Sequence, residues 1–392
     1  MRFSLDYSAI RCIIVSMKRS QSEKILTDLK RKMVFLSGPR QVGKSWLAME
    51  LAKNFSKPLY LNWDNGQDKE IVLRQAWPSD SDLVIFDEIH KMPSWKNYLK
   101  GVYDTKRNET AILVTGSARL ETFRQSGDSL AGRYFRHRLL PFSPAETKEA
   151  GEAASLSHFL ERGGFPEPFL AKDETDAGRW RKFYLDGLIR EDILNFENIR
   201  ELKAMNLLVN LLRNRVASPL SYTSLSEDIG VSPNTIKRFI EILEALYIVF
   251  RVYPHHRSIA RSIAQQPKLY FFDTALVEDP GARLENHVAL SILKELYIRE
   301  DADGLGRELR YLRTKEGKET DFLISVEDSP RLAVEVKTGE RAISPNLKYF
   351  CTRYGMDGLQ LVGDLRLEYD ENGIHVRQAQ RWLEAIRAYK NF

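Results

Sequence analysis

Gly38, Pro39, Arg40, Gln41, Val42, Gly43, Lys44 and Ser45 fit the spacing G-x-x-x-x-G-K-[ST], a pattern whose chemistry is phosphate binding. Two glycines let the backbone curl until successive N–H groups point inward, and the helix that follows adds unpaired donors and a partial positive charge. Lys44 would bridge the β- and γ-phosphates as a point charge, and Ser45 would hold Mg²⁺ through its hydroxyl. The binding segment is expected to run on to Trp46. Its acidic partner is the run Leu83, Val84, Ile85, Phe86, which ends in Asp87 and Glu88. There Asp87 would bind Mg²⁺ directly or through water, and Glu88 would polarise the water that attacks the γ-phosphate; the plainer alternative is solvated capping charge. Thr115 and Ser117 follow another apolar run, where a polar side chain could reach the γ-phosphate or that water. Arg133, Arg136 and Arg138 crowd one short segment. Arg133 is a candidate arginine finger acting in trans, which calls for a homo-oligomer; otherwise the segment is a basic surface.

A second constellation lies far downstream. Asp321 and then Glu335, Val336 and Lys337 form a D…E-x-K arrangement, and strand alternation puts Glu335 and Lys337 on one face. Asp321 and Glu335 could share a divalent metal, Glu285 could extend the ligand set, and Lys337 could position the nucleophilic water.

The elements that must hold these residues follow from periodicity. Residues 33–36 read as a buried strand before the glycine loop and 46–52 as a helix after it. Residues 58–63, 83–88 and 111–114 read as further strands. Alternation with helices implies a parallel sheet with its site at the carboxyl ends of the strands. Residues 146–155, rich in Ala, Glu and Gly, read as a surface connection, and 157–212 as helices forming a lid. Helices over 222–229 and 233–246 flank the turn Gly230-Val231, with Ser232 as N-cap and Pro233 at the first helical position. Asn234, Lys237 and Arg238 on the second helix are placed to meet a DNA groove. Residues 247–253 and 268–272 could pair as a wing with Arg257 near its tip, acting on phosphates. Such winged helices also serve as protein-binding modules. Strands are expected over 309–312, 320–326 and 331–336, and a helical tail over 377–392.

A chain of 392 residues has room for two or three domains. The formal charge of +5 permits an anionic partner without demanding one. Cys12 and Cys351 are too few for a disulfide framework or a cysteine zinc site and fit a reducing cytoplasm. The apolar stretch at 10–15 is far too short to span a membrane. Met17 is a candidate natural start.

The ordered motifs SGPRQVGKS (37–45), FDEIHKMPSW (86–95), VTGS (114–117), LAGR (130–133), LPFSPAE (140–146) and GGFPE (163–167) give the chain a family resemblance. It resembles the prokaryotic AAA-type ATPases that carry a C-terminal restriction-endonuclease-like domain of unknown function. The resemblance implies ATP and Mg²⁺ as ligands and ATP hydrolysis as activity. The expected fold is α/β: a P-loop core (17–146), a helical lid (147–215), a winged-helix unit (216–275) and a restriction-endonuclease-like α/β domain (276–392). The expected function is ATP turnover coupled to movement or remodelling of bound DNA. The alternatives are an ATP-regulated, Mg²⁺-dependent nuclease cutting through Asp321, Glu335 and Lys337, or an ATP-gated protein-binding adaptor.

Overall fold

The computed structural model describes residues 19–106, 109–116, 130–193, 199–255, 266–339 and 342–389, with 191–193 and 199–200 described by their backbone only. Five parallel strands make the first sheet: β1 (Met33–Ser37), β2 (Pro58–Asn62), β3 (Leu83–Asp87), β4 (Ala111–Thr115) and β5 (Tyr134–Arg138), in the order β2-β3-β4-β1-β5. β1, β3 and β4 are buried throughout because helices cover both faces of the sheet. Val34 and Leu36 face Ile25 and Leu29 of α1 (Ser22–Leu29) and Leu47 and Leu51 of α2 (Lys44–Ala52). Met33 and Phe35, on the opposite face, pack with Val72 of α3 (Gly66–Arg74) and with Leu99 and Val102 of α4 (Trp95–Thr105). Register sets Asp87 beside Thr115 and Leu36 beside Thr115, so the carboxyl ends of β1, β4 and β3 are level.

Helices α5 (Pro144–Glu149), α6 (Leu156–Arg162), α7 (Pro166–Phe169), α8 (Glu174–Ile193) and α9 (Ile199–Arg213) follow. The expected surface connection at 146 is instead helical at its start, and Glu146 is fully buried there. Its charge is met by Arg19 and by Lys294, which is why so polar a segment can enter the interior. α10 (Tyr222–Ile229) and α11 (Pro233–Ala245) form the expected helix pair, with the Ser232 hydroxyl accepting from the Thr235 N–H.

β6 (Val249–Pro254) and β7 (Lys268–Phe271) pair antiparallel, but β6 also pairs in parallel with β8 (Arg307–Arg313). The expected free wing is therefore the margin of an eight-stranded mixed sheet. Its other strands are β9 (Glu319–Val326), β10 (Ser329–Gly339), β11 (Asp357–Asp364), β12 (Tyr369–Glu371) and β13 (Ile374–Gln378). One apolar core runs from Leu243 and Phe250 through Tyr270 and Val288 to Phe322 and Trp382, so a boundary at 275–276 cuts through continuous packing. The helix α12 (Pro280–Asp303) crosses this sheet and reaches back to the first one, where Asp301 accepts three hydrogen bonds from the Arg138 guanidinium at 2.7–3.1 Å and Glu300 one at 2.8 Å. α13 (Pro345–Tyr354) and α14 (Ala379–Glu384) complete the chain; α14 starts later than the expected tail because 374–378 are strand. Among the described residues no helix is long and apolar enough to cross a membrane.

Candidate active site

The glycine loop joins β1 to α2 through two conformations that other residues resist. Gly38 has φ 146°, and a Cβ there would lie 2.1 Å from the Leu139 carbonyl oxygen. Gly43, with φ 95°, turns the backbone directly into the first residue of α2. Lys44 is buried, and its Nζ donates to the carbonyls of Gly38 (3.0 Å) and Pro39 (2.6 Å). Burial pushes its pKa down to about 8, opposed by the nearby Glu88 and Asp87 carboxylates.

The Ser45 hydroxyl donates to Asp87 Oδ2 at 2.7 Å. Asp87 also accepts from the Tyr60 hydroxyl on β2 and the Thr115 hydroxyl on β4, so three strands and a helix start meet on one carboxylate. Thr115 was legible as a strand-end polar residue; Tyr60 was not, since its partner lies 27 positions away on a neighbouring strand. A serine hydroxyl beside a carboxylate is a donor set that suits a hard cation such as Mg²⁺, with the Lys44 ammonium close enough to balance a phosphate. Glu88 sits at φ 58° just past β3. Burial raises its pKa, countered by Lys91 and Lys44, and its Oε2 lies 3.4 Å from Lys91 Nζ and 3.6 Å from His90 Nε2.

Helix α8 touches the loop directly. Trp180 Nε1 on α8 donates to Gln41 Oε1 at 2.8 Å, and the Tyr184 hydroxyl donates to the Arg40 carbonyl at 3.2 Å. Trp180 and Tyr184 stack on each other at 4.6 Å between centroids. A Cβ on Gly43 would come within 4.0 Å of the Pro166 ring. Sequence reasoning missed both aromatics, whose only signal is the i, i+4 spacing shared by any packed helix face.

Val42 is buried in the core behind the loop, and Trp46 packs against the same cluster. Arg133 lies elsewhere: it precedes β5 at the amino-terminal edge of the sheet, opposite the loop, and donates to both oxygens of Asp104 at 2.8 and 3.1 Å. Ser117 and Arg257 fall outside the described residues. Asn234 and Lys237 are exposed on the first turns of α11, while exposed Arg238 donates to Glu201 at 2.8 Å.

The downstream constellation assembles around a cation that sequence reasoning overlooked. Buried Lys268 places Nζ 2.8 Å from Glu319 Oε1, 3.4 Å from Glu285 Oε1 and 3.6 Å from Asp321 Oδ1. Tyr270 donates to Glu285 Oε1 at 2.7 Å, the Val336 N–H to Asp321 Oδ2 at 2.8 Å, and Lys337 Nζ to Glu335 Oε1 at 2.6 Å. The expected shared ligand set of Glu285, Asp321 and Glu335 is not formed: among the described residues no three His, Cys, Asp or Glu side chains converge as a metal site. The physical reason is that Lys268 stands among Glu285, Glu319 and Asp321, while Glu335 is tied to Lys337 through Oε1 and keeps a buried, unpartnered Oε2.

Residues 30–148 match the model of the AAA domain, and the match supports an AAA-type ATPase for this part of the chain. Residues 153–279 and 280–376 match two domains of unknown function. An uncharacterized protein of Mycobacterium tuberculosis is 24% identical over 359 residues, covering 88% of this chain and 79% of that one. An uncharacterized protein of Methanocaldococcus jannaschii is 24% identical over 362 residues, covering 80% and 79%. Among solved structures, the Walker-type ATPase of Pyrococcus abyssi aligns with a TM-score of 0.43 at 14% identity, over 67% of this chain and 95% of that one. The RuvB Holliday junction branch migration motor of Thermotoga maritima aligns with a TM-score of 0.29 at 15% identity, over 63% and 89%.

Proposed function

We propose that the protein is a Mg²⁺-dependent ATPase whose turnover remodels bound DNA. The observation that carries this reading is the meeting of Lys44, Ser45, Asp87 and Glu88 at the level carboxyl ends of β1 and β3. Lys44 exchanges the carbonyls of its own loop for phosphate oxygens when the triphosphate binds. Ser45 and Asp87 would hold Mg²⁺, which neutralises charge on the phosphates. Thr115 and Tyr60 orient Asp87 from either side. Glu88 takes a proton from the attacking water as the new bond to the γ-phosphorus forms and the bond to the β-bridging oxygen breaks. Its raised pKa favours that proton transfer.

The DNA half of the reading is supported by Asn234 and Lys237, exposed at the start of a properly capped helix. Arg133 acts in this scheme only from a neighbouring subunit, since within its own chain it stands at the far end of the sheet. Hydrolysis by the wild type, Lys44→Ala and Glu88→Gln, measured with duplex, single-stranded and branched DNA at rising salt, tests the whole. Both variants should lose turnover, and stimulation by DNA should weaken with salt as counterion release loses its advantage. Retained activity in Lys44→Ala overturns the site. Absence of DNA binding at low salt overturns the DNA half and leaves a protein-binding adaptor.

A further inference from the structure

The carboxylate cluster of the second sheet presents the acidic residues of a metal centre with an ammonium inside it. Lys268 enters from β7, Glu285 from α12, and Glu319 and Asp321 from β9, so three elements distant in sequence contribute to one charge cluster. The lysine is 1% exposed, and its contact with Glu319 at 2.8 Å is a charge-assisted hydrogen bond. A divalent ion would need oxygens at roughly 2.0–2.6 Å and would face this ammonium across the same carboxylates.

Other oxygens of the cluster are committed as well, Glu335 Oε2 excepted. Asp321 Oδ2 holds the Val336 N–H of the neighbouring strand, Glu285 holds the Tyr270 hydroxyl, and Arg313 lies 3.4 Å from the second oxygen of Glu319. Lys337, the residue expected to position a nucleophilic water, donates instead to Glu335 on its own strand at 2.6 Å.

We infer that Lys268 is a resident cation in the place of a divalent metal, making this centre a metal-independent ionic lock between β7, α12 and β9. It ties the hairpin that follows α11 to the sheet beyond it, and its ammonium faces Asp321 Oδ1, the oxygen a metal shared with Glu335 would need; Glu335 Oε2 is buried with no hydrogen-bond partner of its own. This inference stands independently of the ATP site.

The test is Mn²⁺ binding to the nucleotide-free full chain, read from loss of the free-ion electron paramagnetic resonance signal. Wild type and Asp321→Asn should bind Mn²⁺ alike, because Asp321 is not a ligand. Lys268→Met, which removes the ammonium and keeps the stem, should gain one site, bound at least tenfold more tightly than any site of the wild type and lost again in Lys268→Met/Asp321→Asn. A wild-type site weakened tenfold or more by Asp321→Asn overturns the inference. So does a folded Lys268→Met that gains no site, or DNA cleavage by the wild type that Asp321→Asn abolishes. If Lys268→Met does not fold, the comparison of wild type with Asp321→Asn decides alone.

Discussion

The indole of Trp180 donates a hydrogen bond to the side chain of Gln41, tying α8 to the phosphate loop across 139 positions of sequence. Gln41 itself holds φ 59°, so the loop keeps an uncommon backbone conformation at the residue α8 grips. A grip that holds the loop in the shape a bound triphosphate needs would favour binding. Trp180→Phe should therefore raise KM for ATP about fivefold, the worth of a hydrogen bond of ~1 kcal/mol, with a smaller effect on kcat. It should also remove most of the change in tryptophan fluorescence on nucleotide binding. An unaltered KM and an unaltered fluorescence response would mean that α8 does not follow the nucleotide.

Glu88 gives a pH signature. Burial lifts its carboxyl above the ordinary value and Lys91 pulls it back down. A base must be deprotonated to accept a proton, so kcat/KM should fall on acidification at a pH above that of an ordinary glutamate. Lys91→Ala removes a countering charge and should move this acid limb further upward. Glu88→Gln should bind ATP normally while losing on the order of 10²–10⁴ in kcat. An acid limb that stays put in Lys91→Ala assigns it to another group.

The loop, its strand and its helix were legible because the residues that matter are contiguous and the glycines advertise their backbone conformation. Asp87 and Thr115 were legible because buried parallel strands end in polar residues at the site. Tyr60, Trp180 and Lys268 were not, because each acquires its role from a partner on another element. Glu146 was misread for a related reason: Ala, Glu and Gly suggest solvent, and only the cations at positions 19 and 294 make burial tolerable. The hairpin of β6 and β7 was visible as strands, but its union with β8 rests on two paired residues that leave no local pattern.

His287 predicts acid sensitivity of the fold. It is buried on α12, its ring centroid 5.1 Å from that of Phe159, and burial lowers its pKa to about 4. In the unfolded chain it titrates near its ordinary value, about 6.5. Between these values the unfolded state binds more protons, so stability falls as pH drops from about 6.5 towards 4, by up to ~3 kcal/mol. His287→Phe should flatten that part of the profile, measured as the urea midpoint from pH 7 to 4.5. Equal slopes in the two proteins would place the sensitivity elsewhere.

The triad of Arg19, Glu146 and Lys294 joins the segment before α1, the helix after the first sheet and the helix that crosses the second. Arg19 Nε lies 3.1 Å from Glu146 Oε1 and Lys294 Nζ 2.5 Å from Glu146 Oε2, with all three side chains almost wholly buried. Although burial alone would raise it, the two cations hold the Glu146 carboxyl below its ordinary value. Removing the only anion of such a triad leaves two desolvated cations, a larger penalty than losing a surface pair. Glu146→Gln should therefore cost about 3–5 kcal/mol, measured by chemical denaturation of the full chain. Lys294→Met should cost less, because Glu146 keeps Arg19 and the methionine fills the vacated volume. Since Arg138 and Asp301 link the same two bodies a few residues away, Glu146→Gln should still unfold in a single transition, displaced to lower denaturant. A single transition shifted by less than 1 kcal/mol would show that packing, rather than this charge cluster, makes the two sheets unfold as one.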